Sequence, residues 1–426
     1  MDRTLDAISK EFGIRFSEKR KWDRLRGTVS RTWKAAAGIT RRPQSTSPPP
    51  LPQWRLPLEL LEQVVDHLHN EIPTLRSCAL VCHALVASAR HHLFYRMLIT
   101  AENFVNAVLL FVKNPHLTCH VCELYFEAGD GTAFGSLQAL LEGKEPPKHL
   151  RVFALVIAPR LPNVVRLTFK DTSFDQHIVA MFASPFPRLH TLSLFDCWFR
   201  CNADLAALVK GHPLIHTMRC GRLCSRFGVS NHDFAEQPGA KVTLHSLKIT
   251  ESDSSSQLTL MPWLVTYVKP ETFIYSLYRL SQVVELNRAI AGLATLRHLH
   301  VALPRWRKAD TRGFIECPEM VAIVPLYPPR VVTLTLDAKL HSLLLVVYIL
   351  AQLDLHAFSR LATVHIFAHI KAEDVEAVDM NGWAGMDKTL NGLLSLRRVN
   401  FVNVCQDTTH VEVGIAAILE RLPVLN

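Results

Sequence analysis

No stretch of this chain is long and apolar enough to cross a bilayer as a helix. The longest unbroken apolar run, Leu343 to Leu350, falls far short of the roughly 20 residues a spanning helix needs. An apolar segment is also missing near the N-terminus, which opens Met1-Asp2-Arg3 and carries the acids Asp2, Asp6, Glu11, Glu18 and Asp23. Neither a secretory signal nor an acid-poor organelle presequence is expected there. The expected location is therefore cytoplasmic and/or nuclear, with the 10 cysteines reduced and no disulfide framework.

Catalytic signatures are absent too. Gly129-Asp130-Gly131 with Gly135 misplaces the third glycine of a dinucleotide fingerprint, and no Lys-Ser/Thr follows, so it reads as a turn. No metalloprotease, nucleophile-elbow or paired-carboxylate motif stands out. Cys119-x-x-Cys122 beside His116 and His120, and the pairs Cys197/Cys201 and Cys220/Cys224, have zinc-like spacing. Against a metal, Val121, Leu124 and Phe126 make the first pair part of a strand. Cys197 and Cys220 fall at repeat positions that bury small thiols. The expectation is no cofactor, no metal and no enzymatic activity. Stoichiometric zinc in the purified protein would revive a metal-dependent enzyme.

What the chain does have is room for two or three domains, 49% hydrophobic residues and 20% charged ones over 426 positions, suited to a soluble protein with a sizeable core. Its charge is uneven. Residues 1–50 hold 12 Lys and Arg against 5 Asp and Glu, a net +7 of the chain's +9. Within a basic tail, residues 1–42, Trp22, Leu25, Val29 and Trp33 recur at helical spacing among Lys19, Arg20, Lys21, Arg24, Arg26 and Arg31. Such a segment suits an anionic membrane, a nuclear-import receptor or a partner helix, and equally a solvated tail of marginal helicity. A proline-rich linker, residues 43–53, separates it from the rest.

Residues 54–98 pack three short helical patterns. Pro57 suits a first helical turn, and Leu61, Val64, Val65 and Leu68 make a stripe after it. Pro73 restarts a helix with Leu75, Cys78, Leu80 and Val81, and a third carries Leu85, Ala89 and Leu93. A unit near 40 residues with so much apolar surface needs a partner to complete its core. The run Leu56-Pro57-x-Glu59-Leu60-Leu61-x-x-Val64-x-x-x-Leu68, followed by Leu75, Leu80-Val81-Cys82 and Ala89-Arg90-x-x-Leu93-Phe94, resembles an F-box of the fungal type. The first loop is about two residues longer than the commonest pattern, and Leu85 stands where a Trp is usual. The resemblance implies a non-catalytic substrate receptor of a cullin–RING ubiquitin ligase. In that role Leu56, Pro57, Leu61, Val64, Leu68, Leu75, Cys78, Val81 and Leu85 would dock on a Skp-family adaptor, some of them instead holding the helices together.

Residues 99–426 alternate short strands with helices. The strands share the form apolar-x-x-apolar-x-apolar: Val164/Leu167/Phe169, Leu189/Leu192/Leu194, Ile215/Met218/Cys220, Leu244/Leu247/Ile249, Leu296/Leu299/Val301, Val331/Leu334/Leu336, Leu361/Val364/Ile366 and Leu396/Val399/Phe401. The long interval between Leu244 and Leu296 has room for one more. Leu189-x-x-Leu192-x-Leu194-x-x-Cys197-x-Phe199 matches the full leucine-rich-repeat form. Helices are expected over Asn202 to Gly211, Ser342 to Leu353 and Val411 to Leu422. The expected fold class is α/β: a three-helix F-box followed by an irregular leucine-rich-repeat-like solenoid.

In such strands the residues between the apolar ones share one face. Those positions hold Arg166, Lys170, Arg219, Lys248, His298, His300, His365 and Arg398, with Asp337 the evident acid. A cationic face would hold a protein substrate through an acidic or phosphorylated segment. A one-residue slip would send all of them inward. The alternative is a repeat scaffold targeted by its basic tail and unconnected to any ligase.

Overall fold

The structure is a computed structural model. It describes residues 57–127 without Cys82, 148–225 without Ser184, 242–250, 267–277, 295–303, 330–338, 360–368 and 380–403, and the single positions 264, 286, 290, 293, 346, 350 and 418. The basic tail, the linker, Leu56 and the Gly129–Gly135 turn lie outside these residues.

The helical unit comes first: α1 (Leu58–His67), α2 (Ile72–Val81) and α3 (His83–Tyr95). The Pro57 carbonyl accepts from the Leu60 and Leu61 amides at 3.1 and 3.2 Å and so opens α1. Val65, Leu75 and Ala89 are its buried centre, and Leu68, Cys78, Ala79, Leu85 and Leu93 pack around them. His92 Nε2 meets Asp66 Oδ1 at 2.7 Å and ties α3 to α1.

Strand β1 (Arg96–Thr100) begins the residue after α3 ends. The boundary expected at 98/99 is thus corrected: Arg96, Met97 and Leu98 belong to the sheet. Ile99 is buried and Met97 packs on the same core while Arg96 and Leu98 stay exposed, so alternation of period two wins over helical spacing. Asn103 covers part of this edge. Its Oδ1 accepts from the Thr100 amide and its Nδ2 donates to the Leu98 carbonyl, both at 2.9 Å, which blunts an open strand edge.

The remaining strands are β2 (Glu123–Glu127), β3 (Arg166–Lys170), β4 (Ser173–Phe174), β5 (Thr191–Phe199), β6 (Thr217–Ser225), β7 (Val242–Thr250), β8 (Val268–Ser276), β9 (His298–Ala302), β10 (Thr333–Ala338), β11 (Thr363–Ala368) and β12 (Arg398–Asn403). They form one 12-stranded sheet in sequence order, with β4 set aside against β5. Every described pairing is parallel. Parallel neighbours that follow chain order in this way make a repeating, solenoid-like arrangement of strands. The missing repeat is β8: Phe273 lies opposite both Leu247 and Leu299.

The register follows the apolar pattern. One continuous inward row runs Leu167, Leu192, Met218, Leu247, Phe273, Leu299, Leu334 and Val364, all buried. A second runs Phe169, Leu194, Cys220, Ile249, Tyr275, Val301, Leu336 and Ile366. Within β5, Asp196 takes a left-handed backbone with φ 54°, a conformation Asp tolerates better than most residues. The turn sends Cys197 inward. Its thiol donates to the Phe169 carbonyl at 3.6 Å and the Phe195 carbonyl at 3.3 Å, and burial pushes it well above the ordinary thiol range. The repeat position read at Cys197 therefore bonds the backbone of the preceding turn.

Behind the first turns lie α4 (Phe104–Lys113), α5 (Lys148–Val152) with its wider continuation Phe153–Ile157, α6 (Gln176–Phe182) and α7 (Asn202–Lys210). Asp175 Oδ1 caps α6 by accepting from the Ile178 amide at 2.7 Å. In α7 the Cys201 amide donates to Asp204 Oδ2 at 3.3 Å. The last described helix is α8 (Met380–Gly392). The two other expected helices are described only at Val346, Leu350 and Ile418, each helical and buried.

Gly211, expected as the helix stop, has a packing reason for being glycine. A Cβ there would run into the backbone of Ala183 behind α6. Gly211→Ala is expected to lower stability by about 1–3 kcal/mol through overpacking, read as a fall in the urea midpoint.

His212 follows it, buried, with Nδ1 donating to the Leu208 carbonyl at 3.0 Å and the ring stacked on Phe186. Burial lowers its proton affinity from the ordinary value of 6.5. The unfolded chain takes up a proton near that pH while the folded chain refuses it. Stability is then full above pH 6.5 and declines as the pH falls below it. Urea melts between pH 7.5 and 5.5 should show that decline, and His212→Phe should flatten it.

Candidate interaction surfaces

The helical unit divides the residues expected to dock on an adaptor. Leu75 is fully buried, and Leu68, Cys78 and Leu85 pack against the same centre. These four contribute to holding the helices together, the role the sequence left open for some of the set. Leu85 in particular packs inward. Leu61 is half-buried. Pro57, Val64 and Val81 are exposed, Val64 at 52% and Val81 at 76%. Four further apolar residues share their exposure: Leu58, Leu60, Ile72 and Leu80, the last at 74%. Helical periodicity contained part of this signal, since Leu60 and Val64 lie four apart on one side of α1 while Leu61, Val65 and Leu68 line the other. Around the exposed apolar residues stand the exposed acids Glu59, Glu62, Asp66 and Glu71.

The second surface is the solvent face of the sheet. All eight expected residues lie in its outward rows, never slipped inward. Arg166, Thr191, Thr217, Ser246, Thr272, His298, Thr333, Thr363 and Arg398 form one row. Thr168, Ser193, Arg219, Lys248, Ile274, His300, Thr335, His365 and Asn400 form the next. Lys170 and Asp337 fall in a third.

Their charges are not equivalent. Arg166 Nη1 and Arg96 Nε both donate to Glu123, the latter at 2.8 Å, and Glu123 is only 3% exposed. Lys170 Nζ donates to Glu127 Oε1 at 2.7 Å, a bond that raises its proton affinity. Arg166 and Lys170 are therefore paired with neighbouring carboxylates, Arg166 sharing its glutamate with Arg96, while both side chains stay more than half exposed. The two glutamates flank Leu124 and Phe126 in β2, and strand alternation applied there would have placed them outward. His300 Nε2 lies 3.8 Å from Asp337 Oδ2. Asn400 Nδ2 approaches His365 Nδ1 at 3.1 Å.

Arg219 and Lys248 differ from these. They are register partners on β6 and β7, so two cations stand about 4.8 Å apart at the backbone. Among the described residues neither meets an acid. Phe195 and Gly221 lie on their outer side: a Cβ on Gly221 would fall 2.9 Å from the Phe195 ring, so the glycine leaves that ring room. His298 and Arg398, in the first row, are exposed.

Cys197, Cys220 and Cys224 are buried, and Cys119 is exposed with its thiol donating to the His116 carbonyl at 3.1 Å. Among the described residues, no three His, Cys, Asp or Glu side chains are grouped to hold a metal ion. No described helix is long and apolar enough to cross a membrane.

No family model and no curated protein matches the chain. Among solved structures, an internalin from Listeria monocytogenes matches with 15% identity over 68% of this chain and 70% of that one, at a TM-score of 0.25. The long parallel sheet and its inward apolar rows are established by the strand register itself.

Proposed function

We propose that the chain is a substrate-receptor subunit of an SCF-type cullin–RING ubiquitin ligase. The three helices are its F-box, seated on a Skp-family adaptor, and the sheet belongs to an irregular leucine-rich-repeat solenoid that holds a protein substrate. The observation that carries this reading is the state of the helical unit. Its own centre is three residues, yet Leu58, Leu60, Val64, Ile72, Leu80 and Val81 remain in solvent. Exposed apolar groups on that scale beside so thin a core favour a partner that buries them.

The sheet supplies a charged seat at Arg219 and Lys248. An acidic or phosphorylated segment of the substrate suits it, because Arg pairs oxyanions through two parallel hydrogen bonds. The chain transfers no ubiquitin in this scheme. The test is co-purification of the Skp-family adaptor with the wild type and with Leu80→Asp/Val81→Asp. Binding lost in the variant supports the reading. Absence of binding by the wild type sinks it and leaves a repeat scaffold targeted by its tail.

A further inference from the structure

The exposed apolar residues of α1 and α2 have a second candidate occupant within the chain itself. Residues 19–33 repeat Trp22, Leu25, Val29 and Trp33 on one side of a helical pattern, surrounded by six Lys and Arg. Such a segment is marginal as an isolated helix and gains order by seating its apolar stripe on a surface. The charges match. The segment is strongly basic, and the helical unit presents Glu59, Glu62 and Glu71 in solvent next to Leu60, Val64 and Ile72. The sheet's first turns offer no such match, since Glu123 and Glu127 are already bonded to Arg96, Arg166 and Lys170.

Reach is not limiting. The linker 43–53 spans about 3.1 Å per residue when extended, roughly 34 Å in all. Helix α1, with 10 residues, is about 15 Å long at 1.5 Å per residue. A tail tethered so closely acts at an effective concentration of order 1 mM. An intrinsic dissociation constant of about 0.1 mM then keeps Leu60, Val64 and Ile72 roughly 90% covered.

We propose that residues 19–33 are an intramolecular occupant seated over Leu60, Val64 and Ile72, so that any partner of these residues competes with the chain's own tail. The contact stands independently of the adaptor's identity; only the competition with a Skp-family adaptor rests on the function proposed above.

The test joins lysine to carboxylate with a zero-length carbodiimide in the full chain, using an equal mixture of isotopically heavy and light protein. The expected result is amide cross-links from Lys19 or Lys21 to Glu59, Glu62 or Glu71 within single isotopic chains, lost in Trp22→Asp/Trp33→Asp. Heavy–light products would overturn the proposal in favour of a contact between copies. Absence of these cross-links in the wild type, or their survival in the tryptophan variant, would also overturn it. Tail capture by phosphatidylserine vesicles without such cross-links would assign the segment to a membrane surface instead. In parallel, Trp22→Asp/Trp33→Asp is expected to bind the adaptor about tenfold more tightly than the wild type. If the adaptor binds neither chain, the ligase reading fails while the cross-links still decide the tail's place.

Discussion

A chain carrying Leu80→Asp and Val81→Asp is expected to lose the Skp-family adaptor while keeping the wild-type unfolding midpoint. Both side chains are about three-quarters exposed, at 74% and 76%, so a carboxylate at either position stays hydrated in the free protein. In the proposed complex both would be desolvated. Each large apolar side chain moved from water into an apolar site contributes about 1.5–3 kcal/mol. Losing two should weaken binding by a hundredfold or more. The choice of positions is what makes the experiment clean. Leu68 and Leu75 belong to the same apolar set in the sequence, but they pack inside the unit. An aspartate at Leu75 would unfold the helices, and lost binding would then say nothing about docking. Equal adaptor affinity for the wild type and the Leu80/Val81 variant would mean that these side chains do not enter the interface.

The second large effect concerns the solenoid's aromatic interior. Phe169 sits among Phe126, Phe174 and Phe182 at centroid distances of 6.1, 5.0 and 5.0 Å, and all four rings are buried. These rings come from β2, β3, β4 and α6, so one side chain bridges successive turns. Phe169→Ala is expected to cost about 3–5 kcal/mol. Because a solenoid is held by nearest-neighbour interfaces, the damage should concentrate around β2 to β5. Hydrogen exchange there should accelerate well before it changes in β10 to β12. Arg219→Ala, at an exposed position, should stay within about 0.5 kcal/mol of the wild type. A uniform loss of protection across the sheet would show one cooperative unit instead of coupled turns.

Much of the scaffold was legible because it rests on local periodicity. The apolar-x-apolar strands specify which side chains turn inward, and a slip by one residue would bury Arg219, Lys248 and Arg398 without partners. That penalty fixes the register from the order of apolar and charged residues along each strand. Strand β8 was harder to read because Pro270 and Phe273 replace the usual aliphatic pair, although Tyr275 and Phe273 keep its inward spacing. Strand β1 was hidden by an apolar run shared with the end of α3.

The inward rows and the outward placement of Arg219 and Lys248 are written in the order of residues, since each follows from the two-residue period of a strand; Cys197 departs from that period and turns inward through the left-handed backbone at Asp196. Only the tertiary structure decided which outward charges are paired. Glu123 and Glu127 pair with Arg166 and Lys170 across strands that join residues 43 positions apart. It likewise decided that Leu75 is core and Leu80 is surface. Three helices can pack with more than one azimuth, and the packing of α2 against α3 selects which of two neighbouring apolar stripes meets the core and which is left to water.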